Sequence, residues 1–470
     1  MKKWIEVSLA IGFIIGALYG LMAAAYGLSG LLEGLLKDKF GVSGGAGFAN
    51  LLVLMLGCVM VIATALTLAE RKWSAMMQDR IGPNRATIDI GPLKGRALGG
   101  VPHIVTDVLK LLTKEDFQPA TASKFLFNLG PILAFAPVFA LFAIVPVGPT
   151  LEVAGQKVGL YVANPDFGLL YMLGIASLAV YGTSLAGWAS NNKFALLGGV
   201  RASSQMISYE VALGLSLVGM MIAFGTVQLA GPTGMSEMQG HYLWKATVGG
   251  LDVGIPAWGF LLQPVGFILF FAAAFAETKR APFDVPEGES EIIGYFVEYS
   301  GMKFGLFMIA EFVEVVVLSG VLTAIFFGGW TLPFGNEALA SVGFFQDHPW
   351  VLGALFATIF WVKVILLCYL QLAIRWTFPR FRYDQIQTLG WKILLPMGLV
   401  NLFVTGALIL WDPTLRSLAI AGGLEIALIA AVTLVPRGGA KDEHAEDHGH
   451  GGHGAHGATD AAAPALAAHH

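Results

Sequence analysis

Apolar and polar positions in this chain fall into blocks rather than alternating with the period of a strand or a half-buried helix. Ten apolar runs lie at about 5–30, 50–69, 125–147, 168–190, 204–229, 258–277, 304–329, 350–374, 393–411 and 417–435. Each is close to the roughly 20 residues that a helix needs to cross a bilayer. Inside lipid a chain must satisfy its own backbone hydrogen bonds, so each run predicts a spanning helix. The pattern therefore predicts an all-α polytopic membrane protein of about ten transmembrane helices.

The charges test that reading. With the N-terminus on the inner side, the inner segments 1–4, 70–124, 191–203, 278–303, 375–392 and 436–470 hold 22 of the 28 Lys and Arg residues. The outer segments hold Lys37, Lys39, Lys157, Lys245 and Arg416, and Lys363 lies within a span. Such an excess of inner cations sets orientation in membranes, and it places both termini in the cytoplasm. Composition agrees: of 470 residues 56% are apolar and 13% charged. A water-facing exterior needs more charge than that, which excludes a disordered chain, a disulfide-stapled domain and a nucleic-acid binder. Cys58 and Cys368 sit far apart in apolar runs and read as buried small hydrophobes, with no metal cluster. No dinucleotide fingerprint or phosphate loop occurs, and no histidine falls within a span, so redox cofactors must belong to partners. Met1-Lys2-Lys3 followed by an apolar run resembles a signal peptide, but the run is long and Glu6 interrupts it, which favours a retained helix. The tail after Val435, rich in His, Gly, Ala and acids, reads as disordered.

The outer segments look like plain connectors, whereas the inner ones carry unusual chemistry. Residues 70–124 open with Glu70-Arg71-Lys72 and continue through Arg80-Ile81-Gly82-Pro83-Asn84-Arg85, a turn sequence that holds Arg80 and Arg85 close together. Val101 to Lys114, with Asp107, Lys110 and Lys114 among helically spaced apolar residues, predicts an amphipathic helix in the interface. The same basic residues also fit a plain topological signal. Residues 277–298 carry Glu277, Arg280, Asp284, Glu287, Glu289, Glu291 and Glu298 around Pro282 and Pro286. The prolines stop the preceding helix, and Pro286 is suited to start a short one with Glu287, Glu291 and Glu298 on one face. Crowded carboxylates raise one another's proton affinity, which suits proton uptake near neutrality; solvated loop acids are the plainer alternative. Glu210 opens span five, Glu311 and Glu314 lie three apart in span seven, and Glu425 lies in span ten. Ionisable residues inside spans mark functional paths or structural ion pairs, and Lys363 is a candidate counter-charge.

These segments resemble a known family, the H subunit of the bacterial proton-pumping NADH:quinone oxidoreductase (respiratory complex I). The resemblance rests on ERKWSAMMQDRIGPNR (70–85), KLLTKEDFQP (110–119), AGWASNNKFALLGGVRASSQMISYEVALGLSL (186–217), AETKRAPFDVPEGESEIIGYFVEYSGMKFGLF (276–307), FFGGW (326–330) and PRFRYDQIQTLGWKILLP (379–396). It implies a family core of eight helices over 50–411. Around it lie an extra N-terminal helix and outer loop (1–49), an extra C-terminal helix (412–435) and the tail (436–470). It implies a quinone chamber built with two peripheral-arm subunits, to which Arg71, Lys72, Arg80, Arg85 and Asp107 contribute. It also implies a proton-coupling set of Glu210, Glu277, Arg280, Asp284, Glu287, Glu289, Glu291 and Glu298, leading toward antiporter-like subunits. Quinone, ubiquinone or menaquinone, would be the substrate. Flavin and iron–sulfur clusters would lie on partner subunits, and the complex would sit in the bacterial inner membrane. Three departures stand out. Residues 86–106 are longer than the usual link, Lys279 replaces a more usual Asn, and Phe296 stands where His is frequent. Two other readings remain open on the sequence: the membrane anchor of an ion-pumping hydrogenase, and a free-standing secondary transporter.

Overall fold

The computed structural model describes residues 2–40, 43–87, 98–153, 155–248, 251–285, 294–333, 336, 339 and 343–434. The main helices are α1 (Lys2–Phe40), α2 (Gly45–Met77), α3 (Pro102–Thr113), α4 (Lys124–Phe142), α5 (Gly168–Ala189), α6 (Lys193–Phe224), α7 (Pro264–Glu277), α8 (Gly301–Phe326), α9 (Pro349–Thr377), α10 (Tyr383–Trp411) and α11 (Arg416–Leu434). Among the described residues, nine helices are long and apolar enough to cross a membrane; α7 is a shorter apolar helix, and α3 is the amphipathic one. The chain is an all-α polytopic membrane protein. Its compact unit runs from Met1 to Ile426, and 427–434 are the last described turns of α11.

Helix α8 is the centre. Every residue from Ala310 to Phe326 is buried, and α2, α4, α7 and α9 pack around it. A helix apolar over most of its surface, with few polar residues such as Glu311 and Glu314, fits such a place. Small residues let the neighbours close up: a Cβ on Gly182 of α5 would come 2.4 Å from the Ala134 nitrogen of α4, so only glycine permits that approach. The outer helices instead turn side chains such as Phe13, Phe125, Phe403 and Leu424 outward, as a lipid-facing surface requires.

Several boundaries differ from those the pattern predicts. Helix α1 continues past residue 30 to Phe40, because Leu31, Leu32, Leu35 and Leu36 keep a helical spacing; Lys37 and Lys39 lie on its last turn rather than in a loop. Helix α6 begins at Lys193, where the Asn192 side chain caps it by accepting from the Phe194 amide at 3.0 Å. Glu210 therefore lies deep within a helix instead of opening one. Span six is broken: a single turn, Gly259–Leu262, stops at Gln263 (φ −142°, ψ 73°), and α7 restarts at Pro264, which cannot donate to the preceding turn. The connectors that the charge pattern assigns to the outer side are not plain links. They form two antiparallel hairpins, β1 (Leu151–Val153) with β2 (Gln156–Val158) and β3 (Tyr242–Val248) with β4 (Leu251–Pro256). Helix α3 forms where the amphipathic pattern predicts it, with Val105, Leu109 and Leu112 exposed along one side. The expected short helix after Pro286 and the tail after Val435 lie outside the described residues.

Candidate functional site

The end of α2 builds a cavity. The helix terminates in a left-handed turn at Asp79 (φ 51°), with the Arg80 amide donating back to Ala75 (2.9 Å) and the Asp79 amide to Met76 (3.2 Å). This pairing satisfies the last helical carbonyls and folds the following segment against the helix. Gly82 (φ 73°) completes the fold-back, since a Cβ there would approach the Ala75 Cβ to 2.9 Å. Lys72 Nζ holds the returning strand by donating to the Ile81 carbonyl at 3.1 Å, and His103 Nε2 of α3 accepts from the Ala86 amide at 3.1 Å. Arg71 reaches α3 through a 2.5 Å ion pair with Asp107. The result is a cavity of 590 Å³ lined by Glu70, Arg71, Ser74, Arg80, Gly82, Pro83, Asn84, Arg85, His103 and Trp376. That volume is typical of small-molecule sites. Three guanidinium groups and an indole around it suit a flat ligand with carbonyl oxygens.

Glu70 is also the first member of a buried line of charge. Its Oε2 pairs with Arg280 Nη1 at 2.7 Å and its Oε1 with Arg375 Nη1 at 3.0 Å, joining α2, the segment after α7, and α9. The Arg280 guanidinium lies over the Phe312 ring, 3.9 Å from its centroid. Glu70, Arg280, Arg375 and Glu311 line a second cavity of 110 Å³, among Phe296, Phe304, Phe307, Met308 and Phe312. One turn further along α8, Glu314 faces Glu277 across a small void walled by Val138, Leu141, Ala176 and Ala179. Lys279 Nζ lies 3.6 Å from Glu314 Oε2. Glu210 of α6 is half-buried and near enough to act electrostatically on Glu277.

The segment 278–285 that carries these cations is pinned from several sides. Gln205 Nε2 of α6 donates to the carbonyls of Ala276 (2.7 Å) and Phe283 (2.8 Å). Phe283 packs against Tyr209, Phe275 and Phe381, and buried Asp284 pairs with Arg380 at 2.8 Å. Further on, Tyr299 donates to the Phe127 carbonyl at 3.1 Å. Burial pushes its phenol well above the usual range, so it stays a neutral donor.

The NADH dehydrogenase family matches residues 49–406. Curated relatives are covered by this chain over nearly their whole length. An H subunit of the NADH-quinone oxidoreductase of Cytophaga hutchinsonii is 42% identical over 75% of this chain and 93% of its own. One of Geobacter metallireducens is 41% identical over 74% and 92%, and that of Bdellovibrio bacteriovorus is 40% identical over 80% and 98%. The chain belongs to the H-subunit family of the NADH-quinone oxidoreductases. It is a membrane component of that oxidoreductase and works together with the complex's other subunits.

The fold brings most of the sequence-derived residues of this membrane component together, but in two groups. Arg71, Arg80 and Arg85 line the first cavity, with Lys72 and Asp107 holding its walls. Glu277, Arg280, Glu311 and Glu314 belong to the buried line. Glu298 is elsewhere: it accepts from Asn192 Nδ2 at 2.7 Å and lines a separate cleft with Pro119, Ser190 and Lys193. Glu287, Glu289 and Glu291 lie outside the described residues. Lys363 is not placed as a counter-charge to any described acid. Its ammonium donates to the carbonyls of Phe327 (2.7 Å), Gly329 (3.0 Å) and Thr331 (2.6 Å) and sits over Trp258, capping the chain as it leaves α8. Sequence reasoning missed Arg375, Arg380, His103 and Trp376. They carry no local signal beyond their charge or aromaticity, because their partners lie many residues away in the chain.

Proposed function

We propose that this chain forms the membrane wall of a quinone chamber and couples quinone reduction to proton translocation through its buried charges. The observation that carries this is the position of Glu70, which lines the quinone-sized cavity and, through Arg280, opens the buried line toward Glu311, Glu314, Glu277 and Glu210. Reducing a quinone to a quinol takes two electrons and two protons. The electrons come from NADH by way of flavin and iron–sulfur clusters on partner subunits, and this chain supplies the charge environment. Arg71, Arg80 and Arg85 hydrogen-bond the ring oxygens and stabilise negative charge as it develops. Any change of charge in the cavity is felt first by Glu70, whose hold on Arg280 and Arg375 then alters. Arg280 carries that change to Glu311 and Glu314, and the acids respond by exchanging protons. Peripheral-arm subunits close the chamber, and antiporter-like subunits receive the signal. The complex sits in the bacterial inner membrane with both termini of this chain cytoplasmic.

Glu70→Gln in the complete complex tests the reading. It keeps the shape of the side chain but removes the charge shared by the cavity and the line. Quinone reduction and the accompanying proton translocation are expected to fall about tenfold or more, in line with loss of a buried charge-assisted pair. Wild-type turnover and pumping in an assembled Glu70→Gln complex would overturn the proposal.

A further inference from the structure

We propose that Glu425 is a proton-exchange site in the middle of the membrane, where its carboxyl meets the broken start of α7. The inference stands apart from the coupling reading above. Helix α7 is 14 residues long and carries Glu277 at its other end, roughly 20 Å from its start.

The partner of Glu425 comes from span six. In an unbroken helix the Val265 amide would donate to the Leu261 carbonyl, one turn back. The break at Gln263 separates those two groups, and Pro264 brings no amide of its own. Helix α11 lies directly against the gap. A Cβ on Gly422 would come 2.1 Å from the Leu261 oxygen and 3.1 Å from Pro264 Cδ, so only glycine permits that approach. Glu425 is one turn further along the same face of α11, and its carboxylate faces the Val265 amide.

Two influences oppose each other at this carboxyl. Glu425 lies midway along the 19 residues of α11, a helix long and apolar enough to span. Apolar surroundings favour the neutral acid, whereas the amide and the positive end of α7 favour the carboxylate. No charged side chain among the described residues acts on the group. The other charged residues of α7 and α11, Glu277 and Arg416, lie at helix ends, and Arg416 is turned to the Leu243 carbonyl at 3.2 Å. Glu425 Oε2 is buried without a hydrogen-bond partner. One open carboxylate oxygen suits a proton; a metal cation would need several more oxygen ligands.

The test treats the complete complex in native membranes with dicyclohexylcarbodiimide, a lipid-soluble reagent that reacts with protonated carboxyl groups. Mass spectrometry reads the peptide that carries residue 425 over a pH series. Labelling of Glu425 is expected to be strong in acid and to fall along a single-proton curve as the pH rises. Glu425→Gln is expected to leave the peptide unlabelled. Gly422→Ala lifts α11 from the gap and takes the carboxyl away from the amide. Its curve is expected to lie about 1–2 pH units higher, the value of one hydrogen bond to a charged group. Gly423→Ala, where a Cβ would meet nothing within 4 Å, is expected to keep the wild-type curve. Labelling that is constant across the series, or absent throughout it, overturns the exchange site. A Gly422→Ala curve that coincides with wild type removes the broken helix from the site and overturns the inference as well. If Gly422→Ala does not assemble, the wild-type curve decides.

Discussion

Glu70 shows how much one side chain decides. Each of its oxygens holds a different guanidinium, and the carboxylate is the one member common to the 590 Å³ and 110 Å³ cavities. Arg80 is placed differently: it is exposed, its Nε donates to Gln78 at 2.7 Å, and it only borders the cavity. Arg80→Ala is therefore expected to leave assembly intact and weaken a quinone-site inhibitor by about tenfold, the value of one charge-assisted hydrogen bond. An inhibitor titration on membranes checks this, and an unchanged curve removes Arg80 from the site. Gln205 acts through the backbone it holds. Gln205→Leu removes one donor from each of two carbonyls, Ala276 and Phe283, which keep the Lys279 and Val285 amides, at about 0.5–1.5 kcal/mol each, and should raise hydrogen exchange across 278–285. Equal exchange in wild type and variant would show that the segment is pinned by Phe283 and Arg380 alone.

At the scale of elements, the central helix α8 carries both the buried acids and the outer cap. Lys363 closes its far end by donating to three carbonyls. Lys363→Met leaves those carbonyls without their donor and should cost about 3–5 kcal/mol. It is expected to lower the thermal stability of the purified complex while leaving the pH profile of turnover where it was. A displaced profile with normal stability would instead place Lys363 in the proton route. The lengths of α2, α6 and α10 also matter. They extend beyond the apolar runs, and α2 in particular carries Glu70, Arg71 and Ser74 out to the cavity. Hydropathy marks where a helix crosses lipid and is silent on where it stops in water, so these extensions were not legible in the pattern.

For the whole molecule, orientation is the main consequence of the charge distribution. Cys58 and Cys368 are both buried, so an introduced thiol can be read against little background. Glu152→Cys on β1 is expected to react with a membrane-impermeant maleimide in right-side-out vesicles, and Glu115→Cys after α3 only in inverted ones. The opposite pattern would reverse the topology. Separately, nothing about the shell of exposed apolar side chains on α1, α10 and α11 needs explanation beyond lipid or neighbouring subunits as their solvent.

The class of molecule, the number of apolar runs, the α3 helix and the charged segments between the spans are all legible in the chain alone. They follow from local properties: apolar length, charge sign and turn residues act over a few neighbours. Arg71, Arg80 and Arg85 likewise fall in one short stretch, because a turn between them is a local matter. Other features come from packing. Glu70 joins Arg280 and Arg375, separated from it by 210 and 305 positions, Lys279 turns inward to Glu314, and Glu298 leaves the group for another cleft. Such pairings depend on which helices surround α8. A buried charge takes whatever partner that packing brings within reach, and spacing along the chain carries no record of it.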